Sequence, residues 1–357
     1  MTANHNYYLN LAFQLAEKNL GQTKLNPSVG AVIVKNDSVI SSGATSSKGR
    51  PHAEYNALNK LKDFKGASLY TTLEPCTHFG KTPPCTNIII KKKIKNVFYA
   101  FEDPDTRTFQ KAKKILTQKG IKSKLIRTKK YNKFYRSYFI NKKFSIPLIT
   151  AKIAISKDYL TINKKNRWIT NESSRNIVHL LRNKNDCILS TSKSINHDNS
   201  LLNCRINGLN NYKPDVFIID LKLKLKKRLS LNKYLKKRKI YLVTSKININ
   251  ESLKYKKLGY KIILVNQLKN KNDFILLYKK IYKLGYSRML IESGLTFLNN
   301  LLKNRTIHEL YIFKSKKTLG KNGKNNSTTK FIKKIYPDLL TINLNGDNLF
   351  KKSFNYV

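Results

Sequence analysis

Pro51-His-Ala-Glu54 and Thr72-Leu-Glu-Pro-Cys-Thr-His-Phe-Gly-Lys-Thr-Pro-Pro-Cys85 decide the reading of this chain. One imidazole, His52, and two thiols, Cys76 and Cys85, form a donor set suited to zinc. Three protein ligands leave the fourth tetrahedral position open for water. Zinc lowers the pKa of that water and makes hydroxide available near neutrality. Glu54, two residues after His52 and not itself a ligand, can shuttle protons from the water to a leaving group. Cys85 falls in the first turn after Pro83-Pro84, where a helix N-terminus favours the thiolate. A packed core histidine beside ordinary buried cysteines is the plainer alternative. Three features together argue for metal: His-x-Glu opening a helix, Pro-Cys closing a strand, and a second Cys after paired prolines. A closed structural site would need a fourth ligand, for which His78 is the nearby candidate.

Outward from these motifs, residues 1–145 alternate helix and strand. Leu11 and Leu15 set a helical spacing over Tyr7–Lys18. Val29–Val34 is a β-branched run, Asn36-Asp37 a turn, and Val39–Ser42 a returning strand. Pro51 opens a helix with Ala53, Ala57, Leu58 and Leu61 on it. Further strands are expected at Ser68–Leu73 and Val97–Phe101. Further helices are expected after Pro84 and over Phe109–Gln118, the latter ended by Gly120. A break near Asn141–Pro147 starts a second α/β segment, 146–357. It has strands at Leu148–Ile155, Ile188–Thr191, Val216–Asp220, Ile240–Thr244, Ile262–Val265 and Met289–Glu292. Its helices are expected at Glu172–Arg182, Phe274–Leu284 and Gly294–Leu302, the first capped by Thr170 or Asn171. The order implies sheets covered by helices on both faces.

The 357 residues suffice for two domains, and 40% hydrophobic residues rule out a wholly disordered chain. No apolar run approaches the roughly 18 residues of a membrane-spanning helix. Four cysteines do not make a disulfide framework, and the first residues lack the pattern of a secretory signal, so the cytoplasm is the expected compartment. The formal net charge is +51. Such a charge raises a nucleic-acid partner. However, 59 of the 71 basic residues are Lys and they run through the whole chain, which reads as an A/T-biased composition rather than a binding patch.

The zinc nucleobase deaminases carry His-x-Glu and Pro-Cys-x-x-Cys. This chain matches the first half but has eight residues between its cysteines. Leu25-Asn-Pro-Ser-Val-Gly-Ala-Val-Ile-Val34, the His52 motif and the Thr72–Cys85 motif closely resemble the deaminase domain of the bifunctional riboflavin-biosynthesis deaminase/reductases. The resemblance implies a cytidine-deaminase-like α/β/α sandwich over 1–145. The substrate implied is 2,5-diamino-6-(5-phosphoribosylamino)pyrimidin-4(3H)-one, attacked at C2 by zinc hydroxide to give 5-amino-6-(5-phosphoribosylamino)uracil. Asn26, His78 and Lys81 fall where the family surrounds this substrate. Two positions depart from the pattern. Thr45 stands where a His is usual, and Asp105 replaces the Asn of a D-P-N-P run whose following glycines are also absent.

The resemblance continues over 146–357, implying a dihydrofolate-reductase-like α/β domain that uses NADPH to reduce the ribosyl group to ribityl. Its matching pieces are Ala151–Asp158, Trp168-Ile-Thr170, Val178–Arg182, Ser194–Arg205 and Ile291–Phe297. Lys152, Trp168, Arg182, Leu202, Arg205 and Glu292 correspond to substrate positions. Ala154, Trp168, Ser194, Asp198 and the run Gly294, Leu295, Thr296, Phe297, Leu298, Asn299, Asn300 correspond to cofactor positions. Arg182 and Arg205 are the cations expected to meet a phosphoribosyl group, because Arg offers a planar fork of donors. Trp168 could pack on the cofactor or fill core. The family's L-D-G becomes Lys157-Asp158-Tyr159, D-D-P becomes Asp198-Asn199-Ser200, and G-P-T becomes Gly294-Leu295-Thr296. These changes raise the alternative of a deaminase whose second half is structural. A polynucleotide deaminase is a further alternative, disfavoured by the cysteine insert and the second domain. The resemblance also implies a homo-oligomer joined through reductase domains.

Overall fold

Asn36 and Asp37 both take left-handed backbone angles, φ 50° and 55°, which the tight turns of hairpins require. The computed structural model, which describes residues 4–209, 214–335 and 337–355, accordingly shows a hairpin at this turn. Two compact units divide the chain, Met1–Lys143 and Phe144–Val357. The first holds α1 (His5–Lys18), β1 (Gly30–Lys35), β2 (Ser38–Ala44), α2 (Ala53–Leu58), β3 (Ser68–Thr71), α3 (Cys85–Lys91), β4 (Asn96–Tyr99), α4 (Lys111–Thr117) and β5 (Lys122–Leu125), with α5 (Arg136–Phe144) ending at the boundary. Its five strands lie in the order β2-β1-β3-β4-β5. β1 is antiparallel to both neighbours, and β3, β4 and β5 are parallel.

The close seating of α2 on β2 depends on Gly43. A Cβ there would meet the Ala53 carbonyl oxygen at 2.5 Å and the Ala57 nitrogen at 2.6 Å. α2 is shorter than the sequence pattern suggests. His52, not Pro51, is its N-cap, and it stops at Leu58, leaving Leu61 46% exposed because no core lies beside it. α4 likewise starts at Lys111 rather than Phe109, since Gln110 adopts φ 57°, which a helix does not tolerate.

The second unit holds β6 (Leu148–Ile155), β7 (Ile162–Asn163), α6 (Glu172–Asn183), β8 (Cys187–Thr191), α7 (Ser192–Asp198), β9 (Asp215–Ile219), β10 (Ile240–Ser245), α8 (Ile249–Lys257), β11 (Lys261–Val265), α9 (Lys271–Lys283), β12 (Arg288–Glu292), α10 (Leu295–Lys303), β13 (Glu309–Lys314), β14 (Gly323–Lys324), α11 (Lys330–Lys333), β15 (Asp338–Leu344) and β16 (Asp347–Ser353). Nine of these strands form one sheet, β11-β10-β9-β8-β12-β6-β13-β16-β15. Asn171, one of the two expected caps, accepts from Ser174 N–H and starts α6. The chain moves outward from β8 to β11, then returns to insert β12 between β8 and β6. Open α/β sheets bind ligands at the carboxyl ends of the strands where the order reverses, here β8, β12 and β6. The strands β13, β15 and β16 add an edge that the sequence reading did not assign. Among the described residues no helix is long and apolar enough to cross a membrane.

Candidate active sites

In the first unit, His52 caps α2, Glu54 lies in that helix's first turn, Cys76 follows β3, and Cys85 is the first residue of α3. The donor atoms of His52, Cys76 and Cys85 lie within 4.8 Å of one another. His52 Nδ1 is 3.6 Å from Cys76 Sγ and 3.4 Å from Cys85 Sγ. A tetrahedral zinc with bonds of about 2.3 Å to sulfur and about 2.0 Å to nitrogen requires edges of about 3.6 Å, so this donor set fits the ion. His78 is not part of the group. Its Nδ1 meets the Thr108 hydroxyl at 3.1 Å.

The electrostatics suit a metal. The Cys76 thiol is held well below its ordinary value by donation from the Cys85 thiol, by His52 and by the Cys85 backbone N–H at 3.2 Å. Cys85 is pushed up by its contact with Cys76 and by burial. Metal binding to such a pair releases a proton. Glu54 is buried, with Oε2 3.5 Å from Cys85 Sγ. Burial and the neighbouring Cys76 push its carboxyl up to about 7.

Glu74 was not singled out from the sequence. Its buried carboxylate accepts from the backbone N–H groups of Asp103, Gln110 and Ala112 at 3.0–3.2 Å. It thereby ties the segment leading to Cys76 to the loop carrying Thr108, the partner of His78. Alternation places Glu74 only as a strand-end acid, so no local signal marked it. Asn26 donates to the Gly49 carbonyl and pins the 3-10 turn before Pro51. Lys81 is exposed on the insert between the cysteines. Thr45 is buried and accepts from Val29 N–H. Asp105 takes Arg107 at 2.6 Å and Lys142 at 2.7 Å, which hold its carboxyl far below the ordinary range.

In the second unit, β12 pairs Glu292 with Lys152 of β6. The Glu292 carboxylate receives both edges of the Arg182 fork, at 2.6 and 2.9 Å, with Lys152 Nζ at 3.8 Å. Burial pushes Glu292 up, but Arg182 and Lys152 outweigh it and hold the carboxyl down at about 2. Arg182 is itself buried and also donates to the Asn203 carbonyl. Its fork is engaged by Glu292. Arg205 stays exposed, bonded to Asn203. The Leu202 side chain lies in the core, and its carbonyl accepts from Arg238.

Trp168 is 44% exposed, with the Arg167 and Arg175 guanidinium carbons 4.9 and 4.8 Å from its ring centre, so it does not fill core. Ala154 lies in β6 opposite Phe313. Ser194 Oγ accepts from Gly294 N–H at 3.2 Å and joins α7 to the start of α10. Asp198 meets His197 and accepts Arg167 on its carbonyl. α10 starts at Gly294 without a side-chain cap, leaving first-turn N–H groups for an anion. The side chains of α10 are engaged within the protein. Leu295 and Leu298 are buried, Asn299 donates to Ser327 and Thr328, Asn300 accepts from Asn304, Phe297 packs near Phe274, and Thr296 bonds Asn326. What α10 offers a phosphate is the backbone of its first turn. That uncapped turn fits a phosphate group of a dinucleotide.

Comparison with known proteins assigns a family to each of the two units. Residues 2–101 match the family model for the cytidine and deoxycytidylate deaminase zinc-binding region, and residues 147–339 match the RibD C-terminal domain. The riboflavin biosynthesis protein RibD of Buchnera aphidicola subsp. Baizongia pistaciae is 34% identical over 335 residues, covering 89% of this chain and 88% of the relative. That of Aquifex aeolicus is 31% identical over 320 residues, covering 88% and 87%. The solved RibD of Acinetobacter baumannii superposes with a TM-score of 0.83 at 26% identity, covering 97% of this chain and 98% of its own. With a deaminase-type metal region followed by a RibD C-terminal domain, aligned along nearly the whole of its relatives, this chain belongs to the RibD family.

Proposed function

We propose that this chain carries out two consecutive steps of riboflavin biosynthesis, with 1–145 as a zinc-dependent pyrimidine deaminase and 146–357 as an NADPH-dependent reductase. The observation that carries the reading is the enclosed Glu54 beside the His52, Cys76 and Cys85 donors, in a chain that also builds the Arg182–Glu292–Lys152 cluster at a sheet reversal. Zinc held by those three donors supplies Lewis acidity that lowers the pKa of a coordinated water. The chain's own part is proton movement. A dication beside Glu54 favours its carboxylate. Glu54 then takes a proton from the water and passes it to the amine leaving C2 of 2,5-diamino-6-(5-phosphoribosylamino)pyrimidin-4(3H)-one. Asn26 and His78 orient the pyrimidine, and Lys81 meets the phosphate.

In the second unit, NADPH supplies the hydride when bound. Lys152, with 22% of its side chain exposed, holds the ribose oxygen and provides the proton that must accompany reduction. Glu292 fixes that ammonium, and Arg182 fixes Glu292. Arg205 meets the phosphate, while the first turn of α10 and Ser194 hold the dinucleotide. The substrate is a small molecule in a cytoplasmic, homo-oligomeric enzyme, and the charge of +51 reflects composition rather than a polynucleotide surface.

The test is metal removal. Ammonia release from the diaminopyrimidine substrate should vanish with a chelator and return with zinc, and single-stranded RNA should not compete at physiological salt. Ammonia release that persists without metal would defeat the reading.

A further inference from the structure

Beside α7, at the carboxyl ends of β8 and β9, lies an open cavity of about 410 Å³ lined by Ser192, Lys193, Asn196, His197, Lys224 and Lys226. Its residues belong to none of the positions assigned above. The loop that brings in Lys224 and Lys226 is held in place by the protein itself. Asp220 accepts from Lys224 N–H at 2.9 Å and Leu225 N–H at 2.7 Å. Tyr255 donates to the Leu225 carbonyl at 2.7 Å. Asn196 both accepts from Lys226 N–H and donates to the Lys224 carbonyl. The two acids bonded to lining residues are already engaged. Asp220 is buried and also takes the Ser192 hydroxyl, and Asp198 holds His197 at 2.6 Å. Among the described residues, Lys193, Lys224 and Lys226 have no ion-pair partner. Three unpaired ammonium groups on a fixed scaffold suit a dianionic phosphate monoester.

The position of the cavity says which phosphate. β9, β8 and β12 are adjacent parallel strands, so α7, the Asp220 loop and the start of α10 stand on one sheet edge. β9 is two strand spacings, about 10 Å, from β12. Ser194, bonded to Gly294 N–H, directly follows Lys193. A dinucleotide whose pyrophosphate rests on the first turn of α10, with its nicotinamide toward Lys152 in β6, extends its adenosine half in the opposite direction, over β8 and β9. The phosphate on that half is the 2′-phosphate.

We propose that Lys193, Lys224 and Lys226 form the receptor for the 2′-phosphate of the cofactor and set the preference for NADPH over NADH. This rests on the dinucleotide reading of the second unit. The test is calorimetric titration of the zinc-loaded full chain with adenosine 2′,5′-bisphosphate, adenosine 5′-monophosphate and inorganic phosphate, repeated on Lys224→Ala/Lys226→Ala. The wild type should bind the bisphosphate at least about tenfold more tightly than the monophosphate, the scale of one charge-assisted contact. The double variant should lose that gap, with monophosphate affinity unchanged and weak binding of inorganic phosphate throughout. A gap that survives in the variant overturns the assignment while leaving the dinucleotide reading intact. Inorganic phosphate binding as tightly as the bisphosphate overturns it too, by making the cavity a general anion site. Equal measurable affinity of the wild type for both nucleotides removes the receptor and leaves the dinucleotide reading, whereas no affinity for either removes both.

Discussion

The two candidate sites are assembled in opposite ways. His52, Glu54, Cys76 and Cys85 come from one stretch between residues 52 and 85, three of them at the start of a helix and Cys76 in the loop after β3. Lys152, Arg182 and Glu292 come from two strands and a helix far apart in the chain, and meet only because β12 inserts between β8 and β6. The first site is written as a motif, the second as a topology. Departures from the family pattern are absorbed differently as well. In the first unit they become bonds: Thr45 takes the Val29 N–H, and the charge of Asp105 is met by Arg107 and Lys142. In the second they become strain. Tyr159 stands where the family has Gly and is held at φ 63°, with Lys314 Nζ 4.3 Å from its ring centre. Asp158 nonetheless keeps its turn, accepting from Leu319 and Gly320 N–H.

The sharpest way to break this comparison is Glu54→Gln. Deamination should fall by about a thousandfold, the scale of a lost proton shuttle, with zinc content unchanged and reduction of supplied aminouracil retained. Full ammonia release in this variant would remove Glu54 from the chemistry. Next in size is Glu292→Gln, which leaves Arg182 buried beside Lys152 without a counter-charge. The second unit should lose about 3 kcal/mol of stability, as broken buried pairs do, read by denaturant unfolding. An unchanged midpoint would mean the pair is not needed to hold the unit.

Acid should weaken the same unit. Burial and Arg182 lower His179 to about 4, below its ordinary 6.5, so its contribution is complete above 6.5 and is lost as pH falls through 4. Glu292, held at about 2, contributes fully above 4.5 and loses its contribution as pH falls through 2. Asp186, pushed up by burial to about 6, acts in the opposite sense as pH falls from 6 to its ordinary 3.8. The unfolding midpoint of the second unit should therefore stay nearly level down to about pH 4 and decline below it, and a midpoint that does not fall as pH drops below 4 would contradict the assigned charges. The smallest effect is Tyr159→Gly. It should stabilise the unit by about 1 kcal/mol by relieving the left-handed backbone. A loss of stability instead would show that the lysine contacts of the Tyr159 ring outweigh the strain.

The sequence made the metal donors legible because short-range rules fix them: a cap before α2 and a proline before α3 bring His52 and Cys85 to helix starts. It made Glu292, Lys152 and Arg182 legible only through resemblance, and the Arg182–Glu292 pair not at all, because no spacing rule says that an arginine on α6 faces inward to a strand more than a hundred residues away. Glu74 escaped notice because its partners are backbone N–H groups, which every sequence contains. Of the unassigned strands β13, β15 and β16, the last in the sheet order is β15, an edge. Leu339 and Ile342 of β15 are exposed, so the two-residue alternation fails there.

The central claim is that both sites work in one chain. Zinc-loaded protein would be given 2,5-diamino-6-(5-phosphoribosylamino)pyrimidin-4(3H)-one and NADPH, with ammonia release and NADPH oxidation followed together. The account predicts that one NADPH is consumed for each ammonia released once the intermediate reaches steady state. Ammonia released with no loss of NADPH would contradict it, and would leave the second unit as a scaffold.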